Sequence, residues 1–237
     1  MKQLTSVVLV GIAMSFAASA IAQSKDEPVL MHNAPFHVPI FANDEAIVLR
    51  INIPPSRDTG FHTHYADSVS VNLSPAIRTD QRYGEDKVTG PSTSQPVPGR
   101  VSFNDVAKNG EYTHKATNVG PTPFHNVSFI LKNGRAAGRT VSDRSGAAGF
   151  EQVMDNARLR AWRVVLEPGQ ETGRITQSAP GLRIYVRGGV IDELVPGAAP
   201  RGMAPYMGEF IWQDAGQTRA VKNTGSTIVE FVEFELK

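Results

Sequence analysis

The chain has 237 residues, with 24 Lys and Arg against 23 Asp and Glu, 16 Pro, 21 Gly and no cysteine. Without cysteine it can build neither a disulfide scaffold nor a thiolate metal site, and it has no cysteine nucleophile. A formal charge of +1 offers no basic excess, which argues against nucleic acid and an anionic membrane surface as partners.

The N-terminus begins Met1-Lys2, runs apolar from Val7 to Ala22 and exits through Ala20-Ile21-Ala22. A charged start, an apolar middle and a small-residue exit predict a secretory signal peptide over residues 1–22, cleaved after Ala22. An uncleaved anchor is the alternative, although Gly11, Ser15 and Ser19 interrupt a run already short of the ~20 apolar residues a span needs. Cleavage removes Lys2 and leaves a neutral mature chain, periplasmic or secreted, with no membrane contact. Residues 23–35 read as an N-terminal arm, and His32 and His37 are expected to face solvent.

From residue 46 onward the pattern is short alternating runs between turns. Ala46 to Ile53 ends at Pro54-Pro55, Ser68 to Leu73 ends before Pro75, and Phe124 to Leu131 places Val127, Phe129 and Leu131 on one face. Such runs between Gly, Pro, Asn and Asp predict an all-β sandwich or barrel. No amphipathic helix of ordinary length stands out.

The second half repeats the first. Thr59-Gly60 through His64 aligns with Thr172-Gly173 through Gln177, and the same spacing brings Arg50 onto Arg163 and Pro55 onto Pro168. Further on, Thr113, Asn118, Gly120 and Thr122 meet Thr218, Asn223, Gly225 and Thr227. Alternation by chance could match the apolar positions but hardly the Thr, Asn and Gly ones. The chain therefore divides into a first β unit over residues 36–134, a polar Gly-rich linker over 135–148 and a second unit over 149–237. Asn118 and Asn223, present in both copies, suit a turn or backbone hydrogen-bonding role.

His62-Thr63-His64 carries the chemistry. Two strand residues spaced by two point to the same side, so both imidazoles share a face. His114, from a distant strand, would complete a set of three nitrogen ligands for a divalent metal. The second copy has Ile175, Gln177 and Arg219 at these places, so it is expected to bind no metal. Arg219 and Gln177 would either bind an anion or help fill a structural barrel.

These residues resemble a known family. Gly60-x-His62-x-His64 is similar to the first motif of the cupins, and Gly110-x-x-x-His114-x-x-x-Asn118 to the second. With the duplication, residues 36–237 resemble a bicupin. The resemblance implies two tandem double-stranded β-barrels and one divalent ion inside the first. It also implies a glutamate ligand four or five positions beyond the second histidine. Ser68 and Val69 stand there instead, and Asp67 is the nearest carboxylate.

If Val69, Val71 and Leu73 point into the barrel, Asp67 does too, which makes it the candidate fourth ligand. Otherwise three neutral histidines hold the ion, as in cupins resembling cysteine and diketone dioxygenases. His125 shares the parity of Val127, Phe129 and Leu131, so an unbroken strand turns it inward as a pocket acid or base; Pro121 and Pro123 leave an outward position open. The expected cofactor is one divalent ion, iron first, with Zn, Mn, Ni or Cu as alternatives. The resemblance implies a small anionic or oxygen-bearing substrate and a dioxygenase or a Lewis-acid isomerase or lyase. A non-catalytic periplasmic binding or accessory protein is the alternative, and a homodimer is possible.

Overall fold

Ten strands from the first half form two five-stranded sheets in the structure, a computed structural model that describes residues 27–91, 97–134 and 136–237. The proposed signal peptide lies outside the described residues. In chain order the strands are β1 (Val29–Leu30), β2 (His37–Ala42), β3 (Ala46–Ile53), β4 (His62–His64), β5 (Ser68–Asn72), β6 (Arg78–Arg82), β7 (Val88–Thr89), β8 (Val101–Asn104), β9 (Tyr112–Asn118) and β10 (Phe124–Leu131). One sheet runs β1-β4-β9-β6-β7 and the other β2-β3-β10-β5-β8. The N-terminal arm is built into this barrel, because β1 pairs in parallel with the histidine strand β4, Val29 beside His62.

The second half supplies β11 (Glu151–Asp155), β12 (Leu159–Leu166), β13 (Ile175–Thr176), β14 (Gly181–Arg187), β15 (Ile191–Leu194), β16 (Arg201–Met203), β17 (Phe210–Gln213), β18 (Thr218–Asn223) and β19 (Val229–Leu236). Its sheets run β11-β12-β19-β14-β17 and β13-β18-β15-β16. Strand for strand this is the order of the first half without β1. The repeat extends to individual hydrogen bonds. Asn118 Nδ2 donates to the carbonyls of Ile53 and Thr122 while its Oδ1 accepts from Gly120 N; Asn223 does the same with Leu166, Thr227 and Gly225. Thr63 and Thr113 bond through their hydroxyls at 2.8 Å, and so do Thr176 and Thr218. Two tandem double-stranded β-barrels result, with strand as nearly all of the regular secondary structure among the described residues. No described helix is long and apolar enough to cross a membrane.

The largest apolar cluster lies between the barrels. Val69, Val71, Leu73, Val127, Phe129 and Leu131 point out of the first barrel and meet Leu182, Ile184, Val232, Phe234 and Leu236 of the second. Phe129 touches Phe234, its counterpart in the repeat, with ring centroids 5.1 Å apart. The seam therefore has the self-complementary form of a twofold dimer interface, made within one chain. Each such side chain contributes about 1.5–3 kcal/mol on full burial, so this face holds the barrels together.

The outward course of Val69, Val71 and Leu73 corrects the inward direction expected for Asp67 and His125, which share their parity. Ser68, Ser70 and Asn72 are the residues of β5 that turn inward, and Asn126 and Ser128 are their partners on β10. Alternation separates the faces of a strand but does not say which one a second barrel covers. The segment 136–148 is likewise more than a linker, for Ser142 and Arg144 are buried in the second barrel.

Candidate metal centre

β4 and β9 run antiparallel with His62 directly opposite His114, so His62, His64 and His114 converge on the barrel interior. Their ligand atoms all lie within 4.8 Å of one another, and this is the group of side chains among the described residues that can hold a metal ion. The Nε2 atoms of His64 and His114 are 3.1 Å apart. Two nitrogens each about 2.1 Å from one ion, at right angles, would stand about 3 Å apart, so the spacing suits a shared ion.

The outer nitrogen of each ring is engaged. His62 Nδ1 donates to Gly60 O at 3.3 Å, and Gly60 turns that carbonyl inward with φ of 59°, a conformation glycine adopts without strain. His114 Nδ1 donates to Asp80 Oδ1 at 3.0 Å, and Arg78 Nε lies 3.2 Å from the other carboxylate oxygen. Burial works against charge on Asp80, but the His114 hydrogen bond and the Arg78 charge hold its carboxyl below the usual range. Asn104 Nδ2 lies 3.3 Å from His64 Nδ1. At His62 and His114 the acceptor partner keeps the proton on Nδ1 and leaves the Nε2 lone pair for an ion; at His64 the same tautomer requires the Asn104 amide turned to present its oxygen. Burial, followed by repulsion from the neighbouring imidazoles, pushes His62 down to about 2 and His64 down to about 3, so both are neutral at physiological pH. A converging and outwardly anchored set of imidazoles, His62 and His64 held neutral by burial, fits a divalent metal.

His37 is a fourth imidazole in the same cavity, contrary to the solvent-facing position expected from sequence. It is buried, its ring lies 4.9 Å from that of His62, and burial lowers it to about 4. Its Nδ1 donates to Pro35 O at 3.0 Å, which leaves an acceptor lone pair on Nε2. The preceding Phe36 holds φ of 66°, a strained conformation for a non-glycine residue. No sequence signal marks His37, because only the pairing of β2 with β3 carries it to the site. His32 instead bonds the Tyr65 hydroxyl at 2.9 Å.

Asp67 is not a ligand here. Its Oδ1 accepts from Ala107 N at 2.9 Å, and its Oδ2 pairs with Arg158 of the second half. The outward parity of β5 takes the carboxylate to the inter-barrel seam. His125 is also outside the metal cavity. Its ring faces Gly208, where a Cβ would come within 3.4 Å of Nε2, and that buried nitrogen has no hydrogen-bond partner among the described residues. Asn126 and Phe124, its neighbours on β10, are the residues that line the cavity.

The cavity measures about 260 Å³ and is walled by the four histidines, Tyr112 and Asn104. Tyr112 stacks on His64 with centroids 4.6 Å apart and an interplanar angle of 9°. In the second barrel the matching space is filled. Arg144 inserts its guanidinium over Trp162, bonds Gln177 at 3.1 Å and pairs with Glu233 and Glu235. Arg219 takes Gln177 Oε1 at 3.0 Å and Glu233 Oε2 at 3.1 Å, so of the two roles open to it the structure shows the packed one.

No protein-family model matches the chain, and no curated protein matches it in sequence. Solved structures do match in fold. AerE from Microcystis aeruginosa superposes with a TM-score of 0.58 at 10% identity, covering 86% of this chain and 98% of its own. The salicylate 1,2-dioxygenase of Pseudaminobacter salicylatoxidans gives 0.55 at 10% identity, covering 86% and 76%. A cupin 2 conserved barrel domain protein from Leptotrichia buccalis gives 0.51 at 9% identity, covering 85% and 88%. Procruciferin, an 11S globulin from Brassica napus, gives 0.54 at 10% identity, covering 81% and 77%. An oxygenase and a globulin on one scaffold illustrate why function has to be argued from the site.

Proposed function

Starting from a chain with the fold of the cupin superfamily, carried twice in one polypeptide, we propose that the first barrel is a mononuclear metal centre acting on a small anionic, oxygen-bearing substrate. The observation that carries this reading is the convergence of His62, His64 and His114 in a buried cavity. A bound divalent ion would supply Lewis-acid polarisation and, if it is iron, the redox capacity that dioxygen chemistry requires. Iron is therefore the first metal to test, with zinc, manganese, nickel and copper beside it, since imidazole suits them all.

The chain's own residues orient and select. Asp80 keeps the proton on His114 Nδ1 and so keeps the Nε2 lone pair free for an ion. With no carboxylate among His62, His64 and His114, the ligand set leaves the charge of an ion uncompensated, which favours an anionic substrate. Tyr112 and Arg82, whose guanidinium sits 4.4 Å from the Tyr112 ring centroid, back the His64 side. His125 plays no part in this chemistry.

Metal analysis of protein from its native compartment is expected to give one ion per chain, lost in the His62→Ala, His64→Ala, His114→Ala triple variant. Stoichiometric metal persisting in that variant overturns the centre. Oxygen uptake by the Fe²⁺-loaded protein across diketones, thiols and phenolic or hydroxy acids identifies a dioxygenase. Conversion without uptake identifies an isomerase or lyase, and saturable binding without turnover a ligand-binding protein. We also read residues 1–22 as an export signal, which sequencing of the mature N-terminus tests, with Gln23 expected first.

A further inference from the structure

Beside the metal cavity lies a second one of about 510 Å³. The two share Ser70, Arg78, Ser102, Phe124 and Asn126 in their walls, so they adjoin. Ser70, Asn72, Ser102 and Asn126 supply the small polar side chains of the wall, beside Ala76, Ile77 and Phe124. Ser70 and Ser128 bond across the strands at 2.6 Å, and Ser128 donates to Asn126 Oδ1 at 3.1 Å. This ribbon leaves the Asn126 amide nitrogen without a partner among the described residues, and Asn72 and Ser102 stand beside it. Two arginines complete the outer part. Arg78 packs 5.4 Å over Phe124 and holds Asp80, the one acid in the lining. Arg100 is exposed and has no ion-pair partner among the described residues.

We propose that this outer chamber recognises a carboxylate-bearing, hydroxyl-rich small molecule of the sugar-acid or polyhydroxy-acid type. Arg100, with Arg78 behind it, takes the carboxylate as a charge-assisted pair. Asn72, Ser102, Asn126 and Ser70 exchange hydrogen bonds with the hydroxyls, and Phe124 supplies a face for the carbon chain. The far end of the ligand then reaches the histidines; that orientation alone rests on the metal reading above. An aromatic acid such as benzoate would satisfy the arginines but strand the amide and hydroxyl groups. Amide and hydroxyl groups that lose water without gaining a partner disfavour it, so a site lined this way selects the hydroxylated acid.

Calorimetric titration of the full Zn²⁺-loaded chain with D-gluconate, benzoate and sorbitol tests the proposal, since the second probe lacks hydroxyls and the third lacks charge. Gluconate is expected to bind at least tenfold more tightly than either. Arg100→Gln should weaken gluconate at least tenfold with metal content unchanged, and Ser102→Val should narrow the gap between gluconate and benzoate. Benzoate or sorbitol binding as tightly as gluconate overturns the proposal, as does an Arg100→Gln variant that binds normally. The same titration on the metal-free triple histidine variant separates the two readings. Gluconate binding there leaves the chamber intact even if metal analysis fails, whereas loss of gluconate preference in protein carrying its metal sinks the chamber alone.

Discussion

Ser70 faces Ser128 across two strands of the first barrel; at the matching place in the second, Arg183 faces Glu233. The backbone and pairing are the same, but the contents differ. Two serines leave volume and unclaimed donors, and a cavity follows. An arginine and a glutamate, joined by Arg144, Arg219 and Glu235, occupy that volume with buried ion pairs. The metal strand shows the same replacement, His62, His64 and His114 giving way to Ile175, Gln177 and Arg219. Duplication thus yielded one barrel with an open, histidine-lined interior and one whose interior is filled, and side-chain size at a few inward positions makes the difference.

The comparison can be broken most forcefully from the closed side. Glu233→Ala would leave Arg144, Arg183 and Arg219 buried around a missing charge, and removing one partner from a buried pair costs about 3–5 kcal/mol. Urea denaturation should show this loss, while the metal content of the first barrel stays at one. A loss below 1 kcal/mol would mean that the network does not hold the second barrel together.

Acidification should act next, and in separate windows. In the metal-free protein His37, His62 and His64 take up protons near 4, 2 and 3, against 6.5 ordinarily. Below 6.5 the unfolded chain therefore binds protons that the native chain refuses, and stability rises with pH across that interval. Unfolding free energy should fall as pH drops from 7 towards 4, the first barrel's contribution. Glu233, held below its usual range by Arg183, Arg219 and Arg144 despite its burial, adds a further loss below about 4.5, where the unfolded carboxylate is protonated first. A profile that stays flat from pH 7 to 4 contradicts the buried, neutral histidines.

Asp67→Ala sharpens the comparison at the seam between the barrels. It frees Arg158 and the Ala107 amide, and loss of charged hydrogen bonds costs about 1.5–3 kcal/mol, so stability should fall by about 2 kcal/mol with no change in metal stoichiometry. Loss of the metal instead would restore Asp67 as a ligand. Asp80→Ala should do the opposite, lowering metal affinity by about 10–100-fold in a competition with a chelator, because it releases the outer nitrogen of His114. The smallest effect belongs to Ser128→Ala. Deleting a hydroxyl beside a cavity should cost about 1 kcal/mol, well below Glu233→Ala at the equivalent position.

Much of the molecule was legible in order along the chain. His62-x-His64 shares a face because a strand repeats every two residues, and Gly60 is a glycine because its φ is positive. The recurrence of Thr59, Asn118 and Gly120 as Thr172, Asn223 and Gly225 marked the duplication, and the same hydrogen bonds recur at each pair. His37 and Asp80 could not be found this way. Asp80 reaches the site through the pairing of β6 with the distant β9, His37 through that of β2 with its neighbour β3, and neither carries a motif of its own.

The limit is clearest at Asp67 and His125. Their parity with Val69, Val71, Val127 and Phe129 was read correctly, yet both side chains go to the seam and not to the cavity. Local sequence determined the strands, their alternation, the repeat and the three histidines that share an interior, since these follow from periods of two and from turn chemistry. Only the tertiary structure decided which face of each strand is the inside. That choice belongs to the packing of one barrel on the other, where the apolar faces of both copies are buried together and the polar faces are left to enclose a site.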